Sequence, residues 1–127
     1  MTIVHFCPRA DWEAALRAGV YAPESLQAEG FIHFSAPEQV HLPADAIARG
    51  RTDLVLLEVD ERRLAEPPRW EPGDPSDPDS MRFPHVYGPV PVSAVVAVHD
   101  FPPGPDGRFR CPPGVGGGQP GTVGGQP

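Results

Sequence analysis

Two segments of the chain place a histidine two residues before a hydroxyl side chain, and both pairs could take part in acid–base chemistry. In "FIHFS", His33 precedes Ser35, and in "FPHVYGP", His85 precedes Tyr87. Residues i and i+2 of an extended strand share a face, so each pair can point into one cavity. An imidazole there can hydrogen bond a ribose hydroxyl, balance a phosphate or transfer a proton near neutral pH. We therefore predict that His33, His85 and Tyr87 are catalytic residues of one cleft.

Each of these residues also has a purely structural explanation. A half-buried histidine often serves only packing, with both ring nitrogens hydrogen bonded. Ser35 and Glu38 form the S-x-x-E pattern of a helix capping box, which by itself explains the serine. Tyr87 could be a core tyrosine with its hydroxyl at the surface. These alternatives stay open at the level of sequence.

Other polar residues lie beside the predicted strands. His5 and Arg9 flank the end of the first strand, and Glu71 follows Trp70. A carboxyl group packed against an indole can have a raised pKa, which would suit it to proton transfer. We predict His5, Arg9, Ser35 and Glu71 as ligand-binding residues.

No metal site is predicted, because the local zinc spacings H-x-x-x-H, H-E-x-x-H and C-x-x-C do not occur, although a site built from distant histidines stays open. Cys7 and Cys111 give no disulfide framework. The sequence contains no apolar run of about 20 residues and no signal-peptide pattern at its start. We expect a cytoplasmic protein that does not bind membranes.

The charge balance argues against nucleic acid as a partner. The formal net charge is −7, and the basic residues are ten arginines with no lysine. Binding a nucleic-acid backbone needs a basic face, whereas these arginines are scattered among carboxylates. A single phosphate or pyrophosphate held by one or two arginines is compatible with this composition, and we expect a small, phosphate-bearing ligand. The oligomeric state does not follow from the sequence.

Short strands and helices must position these residues. Apolar and β-branched runs predict strands at Thr2 to Phe6, Phe31 to Ser35, Asp53 to Asp60 and Val92 to Val98, with an extended piece around Trp70. One helix is predicted from an Asp11 N-cap to Ala18, ending at Gly19. A second helical stretch should begin at Ser35, break at Pro43 and resume over Ala44 to Arg49 before Gly50.

This order of elements predicts one α+β domain with two helical segments over residues 1–103. Residues 104–127 are dominated by proline and glycine, and we predict that they form a disordered tail.

Five segments together resemble the bacterial domain-of-unknown-function family 952. They are "IVHFCPRADWEAALRAGVY", "EGFIHFS", "DLVLLEVD", "RWE" and "FPHVYGPVPVSAVVAV". The resemblance covers Thr2 to about Asp100. It implies the ADP-ribosyltransferase-like fold, which consists of a split pair of small sheets. The cleft of this fold binds NAD in active relatives. RNA 2′-phosphotransferases share the same fold. By that analogy His5 to Arg9 would anchor a nucleotide, and His85 and Tyr87 stand where transferases keep a catalytic glutamate.

Three functions remain in competition. The first is an NAD- or nucleotide-binding cleft lined by His33 and His85, with transferase or hydrolase activity on the ligand; the cofactor is not identified, and NAD is a candidate. The second is a module that binds a small molecule or a protein without catalysis. The third is a two-histidine phosphoesterase, for which "HFS" supplies one H-x-S/T motif and "HVY" does not supply the second.

Overall fold

In the computed structural model, which describes residues 2–115, short strands and helices alternate as far as the fourth strand, and four further strands follow it. The strands are β1 (Thr2–Pro8), β2 (Val20–Tyr21), β3 (Ile32–His33), β4 (Leu54–Asp60), β5 (Arg69–Pro72), β6 (Arg82–Val86), β7 (Val90–Pro91) and β8 (Val95–Asp100). The helices are α1 (Arg9–Ala18), α2 (Glu24–Glu29) and α3 (His41–Ile47). The predicted α+β class is confirmed. The described residues contain three α-helices, however, rather than two helical segments.

All the strands pair antiparallel. They form a three-stranded sheet in the order β1-β4-β8, a second in the order β3-β6-β5, and a β2-β7 pair. β4 is the central strand of its sheet, as its apolar sequence predicts. Val55, Leu57 and Val59 enter one core cluster, while Leu54 and Leu56 enter a second. Both faces of β4 are therefore buried, which explains its unbroken apolar run.

The two larger sheets are joined where β1 meets the end of β3. Val4 and Ser35 exchange two backbone hydrogen bonds of 2.8 Å each. The backbone N–H of Phe34 also donates to the carbonyl of Pro84, at 3.0 Å. These bonds place β1 beside the sheet that carries His33 and His85, and a cleft forms along this junction.

The ends of the first helix differ in how well the sequence predicts them. α1 begins at Arg9, because Pro8 is its extended N-cap residue, and Asp11 lies inside the first turn rather than at the cap. The predicted C-cap is confirmed. Gly19 has a φ of 84°, a left-handed conformation that glycine adopts without strain, and its N–H donates to the carbonyl of Ala15.

The second helical stretch begins later than predicted. Ser35 is not its N-cap, because the Ser35 backbone pairs with β1. Instead, Gln39 Oε1 accepts a 2.9 Å hydrogen bond from the Ala36 N–H, around a 3₁₀ turn over Pro37–Gln39. Nor does Pro43 break the helix. It lies in the first turn of α3, where a backbone N–H would have no acceptor within the helix.

The packed part of the chain extends past the predicted boundary at residue 103. Phe109 is 1% exposed and packs on Phe101, with ring centroids 5.1 Å apart. Its N–H donates to Asp45 Oδ1 at 2.8 Å. Phe109 lies within the segment that is predicted to be a tail from residue 104. Residues 116–127 of that predicted tail lie outside the described residues.

The predicted last strand also changes. Val92–Ala94 form a 3₁₀ turn, so β8 begins at Val95. Across residues 2–115, no helix combines the length and apolar character needed to cross a membrane.

Candidate functional site

The two histidines singled out by the sequence lie directly opposite each other on neighbouring strands. His33 of β3 pairs with His85 of β6, and Arg69 of β5 lies on the other side of His85. Residues opposite each other in an antiparallel pair present their side chains to the same face. The imidazole centroids are 5.3 Å apart and the rings are nearly perpendicular, at 80°. One face of the β3-β6-β5 sheet thus carries a row of three basic side chains.

Glu71 connects His85 and Tyr87. Its Oε1 accepts a hydrogen bond of 2.8 Å from His85 Nδ1 and one of 2.6 Å from the Tyr87 hydroxyl. Both donors favour the ionised carboxylate, so they hold the pKa of Glu71 below its usual value, with Tyr87 the larger cause. Packing against the Trp70 indole, which could raise the pKa of a carboxyl group, does not act on Glu71. Trp70 is the neighbouring strand residue and faces the opposite side of the sheet.

The bond to Glu71 fixes the orientation of the His85 ring. A carboxylate can only accept, so Nδ1 carries the proton and Nε2 of the neutral ring keeps its lone pair. Phe31 stacks on the ring, with centroids 4.1 Å apart and planes 18° apart. His85 is 5% exposed. A buried imidazole oriented by a carboxylate in this way can accept a proton from a bound hydroxyl.

His33 has a more open environment than His85. Its Nε2 lies 3.0 Å from Glu29 Oε1, and about half of each side chain is exposed to solvent. Phe31 contacts this ring too, edge to face, with centroids 4.8 Å apart. His33 is thus available at the mouth of the cleft, whereas His85 is held inside it.

A cavity of about 410 Å³ opens in front of these histidines. Its polar lining comes from His5, His33, Ser35 and His85, and the rest is apolar or glycine: Val4, Phe6, Phe34, Pro43, Ile47, Gly73 and Phe83. The polar groups are therefore few and the walls largely aromatic and aliphatic. This composition is typical of a site for a small organic molecule.

His5 lines the cavity but uses both ring nitrogens within the protein. Nδ1 donates to the carbonyl of His33 at 2.6 Å, and Nε2 accepts from the Tyr21 hydroxyl at 2.7 Å. Burial lowers the pKa of His5 to about 4, and it raises the pKa of Tyr21. Burial also raises the pKa of the Cys7 thiol, to about 11. His5 therefore offers a neutral ring to the cavity and links β1 to β3.

The other predicted residues lie at different distances from the cavity. Ser35 lines it and is 4% exposed. Among the residues that the structure describes, its hydroxyl has no hydrogen-bond partner, so a ligand could use it. Glu71 and Tyr87 adjoin the cavity through His85. Arg9 does not line it, because its guanidinium forms an ion pair with Asp100.

Sequence reasoning missed several residues of the site. Phe31 and Phe83 each precede a histidine by two positions, and that spacing was the available signal for their shared face. Arg69 precedes Glu71 by the same spacing on β5. Tyr21 gave no comparable signal, since it meets His5 only through the tertiary fold. In the described part of the chain, no group of three or more His, Cys, Asp or Glu side chains is arranged to hold a metal ion.

Comparison with a family model shows to which protein family the chain belongs. The model of the protein of unknown function DUF952 matches residues 6–98. The chain belongs to the DUF952 family. The comparison with curated proteins gives no match.

Solved structures agree with this assignment. The crystal structure of protein CC0527 from Caulobacter crescentus is 35% identical, with a TM-score of 0.74, and the match covers 87% of this chain and 94% of that one. The solution NMR structure of CC0527 is 37% identical, with a TM-score of 0.71, and the match covers 84% and 90%. The chain is thus similar to CC0527 over most of its length.

Proposed function

We propose that this DUF952 protein binds a nucleotide-like small molecule in the cleft and that His85 accepts a proton during a transfer or hydrolysis reaction on that ligand. The observation that carries the proposal is the Glu71–His85 pair, whose 2.8 Å hydrogen bond leaves Nε2 free beside the cavity. The carboxylate stabilises the imidazolium that forms when Nε2 takes up a proton.

The shape and lining of the cleft support a nucleotide-like ligand. A volume of about 410 Å³ lies within the usual range for small-molecule sites, and the aromatic walls suit a planar base. The imidazoles of His33 and His85 suit ribose hydroxyls or a phosphate ester. The resemblance to the ADP-ribosyltransferase-like fold adds NAD and ADP-ribose to the compounds worth testing. That fold-level argument is an analogy and carries less weight than the side chains.

The reaction follows from the position of the lone pair. His85 Nε2 removes a proton from water or a ligand hydroxyl as that oxygen forms a bond to phosphorus or to the anomeric carbon. The bond to the leaving group breaks, and its electron pair goes to the leaving group. The His33 imidazole, 5.3 Å from that of His85 between ring centroids, can donate a proton to the leaving group. Glu71 keeps its negative charge throughout and acts as a positioning residue for His85.

Binding without catalysis is the second candidate, and the apolar lining of the cavity favours it. Among the described residues, His33, Ser35 and His85 are polar lining residues that can contact a ligand, and such a site can recognise a ligand without transforming it. The two-histidine phosphoesterase fits less well, because the hydroxyl two residues after His85 belongs to Tyr87 and is already donated to Glu71.

We also propose that the protein acts in the cytoplasm, in line with its free thiols at Cys7 and Cys111.

A thermal-shift series with adenosine, AMP, ADP-ribose and NAD tests the proposal. A ligand that binds only the folded state raises its stability by RT ln(1 + [L]/Kd), about 2.7 kcal/mol at a hundredfold excess over Kd. At least one compound should raise the melting temperature, and His85→Asn should abolish that shift. Product formation, followed by chromatography, separates catalysis from simple binding.

The chain contains a matched control for His85→Asn. His99 and Glu58 form a second imidazole–carboxylate pair, 2.9 Å apart, between β8 and β4, and neither residue lines the cavity. His99→Asn removes an equivalent pair and should leave the ligand-induced shift unchanged. If none of the four compounds stabilises the protein, or if the two variants behave alike, the proposal is wrong.

A further inference from the structure

The guanidinium of Arg69 lies next to the proposed proton-accepting pair. Arg69 is directly opposite His85 in the β5–β6 pairing. Its Cζ atom is 4.3 Å from the centroid of the Tyr87 ring. Tyr87 in turn donates its hydroxyl to Glu71. A cation is therefore held face-on against an aromatic ring at the border of the cleft, a geometry that is itself attractive.

Arg69 forms no close ion pair among the described residues, although its positive charge helps to lower the pKa of the nearby Glu71. Across residues 2–115, five other arginines lie within ion-pair distance of an aspartate: Arg9, Arg51, Arg62, Arg63 and Arg110. Arg69 has no such partner in the same part of the chain. The nearby Glu71 accepts from His85 and Tyr87 through its Oε1. A guanidinium that lies over a ring face is held by its charge, and its N–H groups can still donate to an anion.

The order of side chains on this face of the β3-β6-β5 sheet indicates how Arg69 could contact a ligand. Ser35 and Phe83 lie at the apolar end, where they line the cavity. His33, His85 and Arg69 form the next row across the strands. Neighbouring strands are about 4.8 Å apart, so the three side chains of this row lie within reach of one small ligand. The basic groups that line the cavity itself are imidazoles, and Arg69 adds a permanent cation beside His85 in the same row.

We infer that Arg69 binds the phosphate monoester of the ligand, so that the site selects a nucleoside monophosphate over the corresponding nucleoside. This inference rests on the proposed function. The base occupies the apolar cavity, the ribose lies against His33 and His85, and the phosphate receives two parallel N–H bonds from the guanidinium. Such a fork matches the geometry of two phosphate oxygens, which an ammonium group does not reproduce.

Calorimetric titration with adenosine, AMP and inorganic phosphate tests the inference on the full chain. The wild-type protein should bind AMP at least about tenfold more tightly than adenosine, since bonds to charged groups are the stronger ones. Arg69→Gln should remove that preference and leave the adenosine affinity unchanged. Arg69→Lys should restore part of it. Inorganic phosphate alone should compete weakly, because it lacks the base and the ribose.

Arg17→Gln is the matched control, because Arg17 is an exposed arginine in the last turn of α1 and does not line the cavity. It should retain the full preference for AMP. If Arg69→Gln keeps the preference while His85→Asn abolishes binding, this inference alone is wrong. If neither adenosine nor AMP binds the wild-type protein, this inference is wrong, and the proposed function fails with it only when ADP-ribose and NAD also leave the melting temperature unchanged.

Discussion

His33 and His85 face each other edge to face across a single strand pairing, with ring centroids 5.3 Å apart. β3 spans only two residues, so this geometry depends on bonds just beyond it. These are the bond from the Phe34 N–H to the Pro84 carbonyl and the two bonds between Ser35 and Val4. A slip of one residue would turn His33 to the opposite face of the sheet. The site therefore depends on the register of β3 as much as on the two imidazoles.

Glu71→Gln should lower the pKa of Tyr87 toward its ordinary value. In the wild-type protein, the hydrogen bond to the Glu71 carboxylate raises the pKa of Tyr87, because the phenol must give up its proton beside a negative charge. Ultraviolet titration of tyrosinate measures the change. The chain has two tyrosines, and burial raises the pKa of Tyr21. The titration step at lower pH, called the lower phase, therefore belongs to Tyr87. Glu58→Gln should not move that phase, and an unmoved phase in Glu71→Gln would contradict the assignment.

His5 should make the folded state sensitive to mild acid. Its pKa falls from an ordinary 6.5 to about 4 in the folded protein, so folding favours the neutral ring. The stabilisation is complete above pH 6.5 and is lost as the pH falls toward 4. A loss on the order of 1–3 kcal/mol is expected in urea denaturation across this range.

The variant His5→Gln isolates this effect. It should be less stable at neutral pH, but its free energy of unfolding should change less between pH 6.5 and 4 than that of the wild type. Val96→Ala, which changes no titratable group, should keep the wild-type pH dependence. If the free energy of unfolding changes equally with pH in the wild type and in His5→Gln, the buried His5 imidazole is not the source of the acid sensitivity.

Phe109→Ala should destabilise the protein by about 3–5 kcal/mol, the usual loss for a fully buried phenylalanine. The ring is 1% exposed and fills the second core cluster beside Phe101. Val96→Ala, on the exposed side of β8, should change stability by about 0.5 kcal/mol or less. Urea denaturation of both variants gives the comparison. If Phe109→Ala loses no more than Val96→Ala, the segment around residue 109 does not stabilise the domain.

The features that the sequence predicts well depend on neighbours along the chain. The shared faces of His33 with Ser35 and of His85 with Tyr87 follow from the two-residue repeat of a strand. The buried β4 follows from its apolar run, and the end of α1 follows from Gly19. None of these requires knowledge of which strand pairs with which.

The features that it predicts poorly depend on distant partners. Glu71 reaches His85 only because β5 and β6 pair across the loop that joins them, and no local pattern indicates that pairing. Ser35 loses its predicted cap role because its backbone pairs with Val4, a contact between residues 31 positions apart. Phe109 lies in a segment rich in proline and glycine, and average composition hides a single buried aromatic ring.

Ser35 and Gln39 should differ in their contribution to stability. The sequence predicts Ser35 as the helix cap, whereas in the structure the Gln39 side chain makes the capping bond. Gln39 Oε1 accepts from the Ala36 N–H at 2.9 Å, and its Nε2 donates to the carbonyl of Arg82 at 3.2 Å. Gln39→Ala removes both bonds and should cost about 1–3 kcal/mol of stability. Ser35→Ala keeps both backbone bonds to Val4 and should change stability by about 0.5 kcal/mol or less.

Ser35→Ala and Gln39→Ala should also differ in their affinity for the ligand. The Ser35 hydroxyl lines the cavity, so Ser35→Ala should weaken AMP binding about three- to tenfold, the effect of one neutral hydrogen bond. Gln39 does not line the cavity, and Gln39→Ala should keep the wild-type affinity at a temperature where it is fully folded. Urea denaturation and calorimetry on the same two proteins test both halves. A large loss of stability in Ser35→Ala with unchanged AMP binding would return Ser35 to a structural role and remove its hydroxyl from the site.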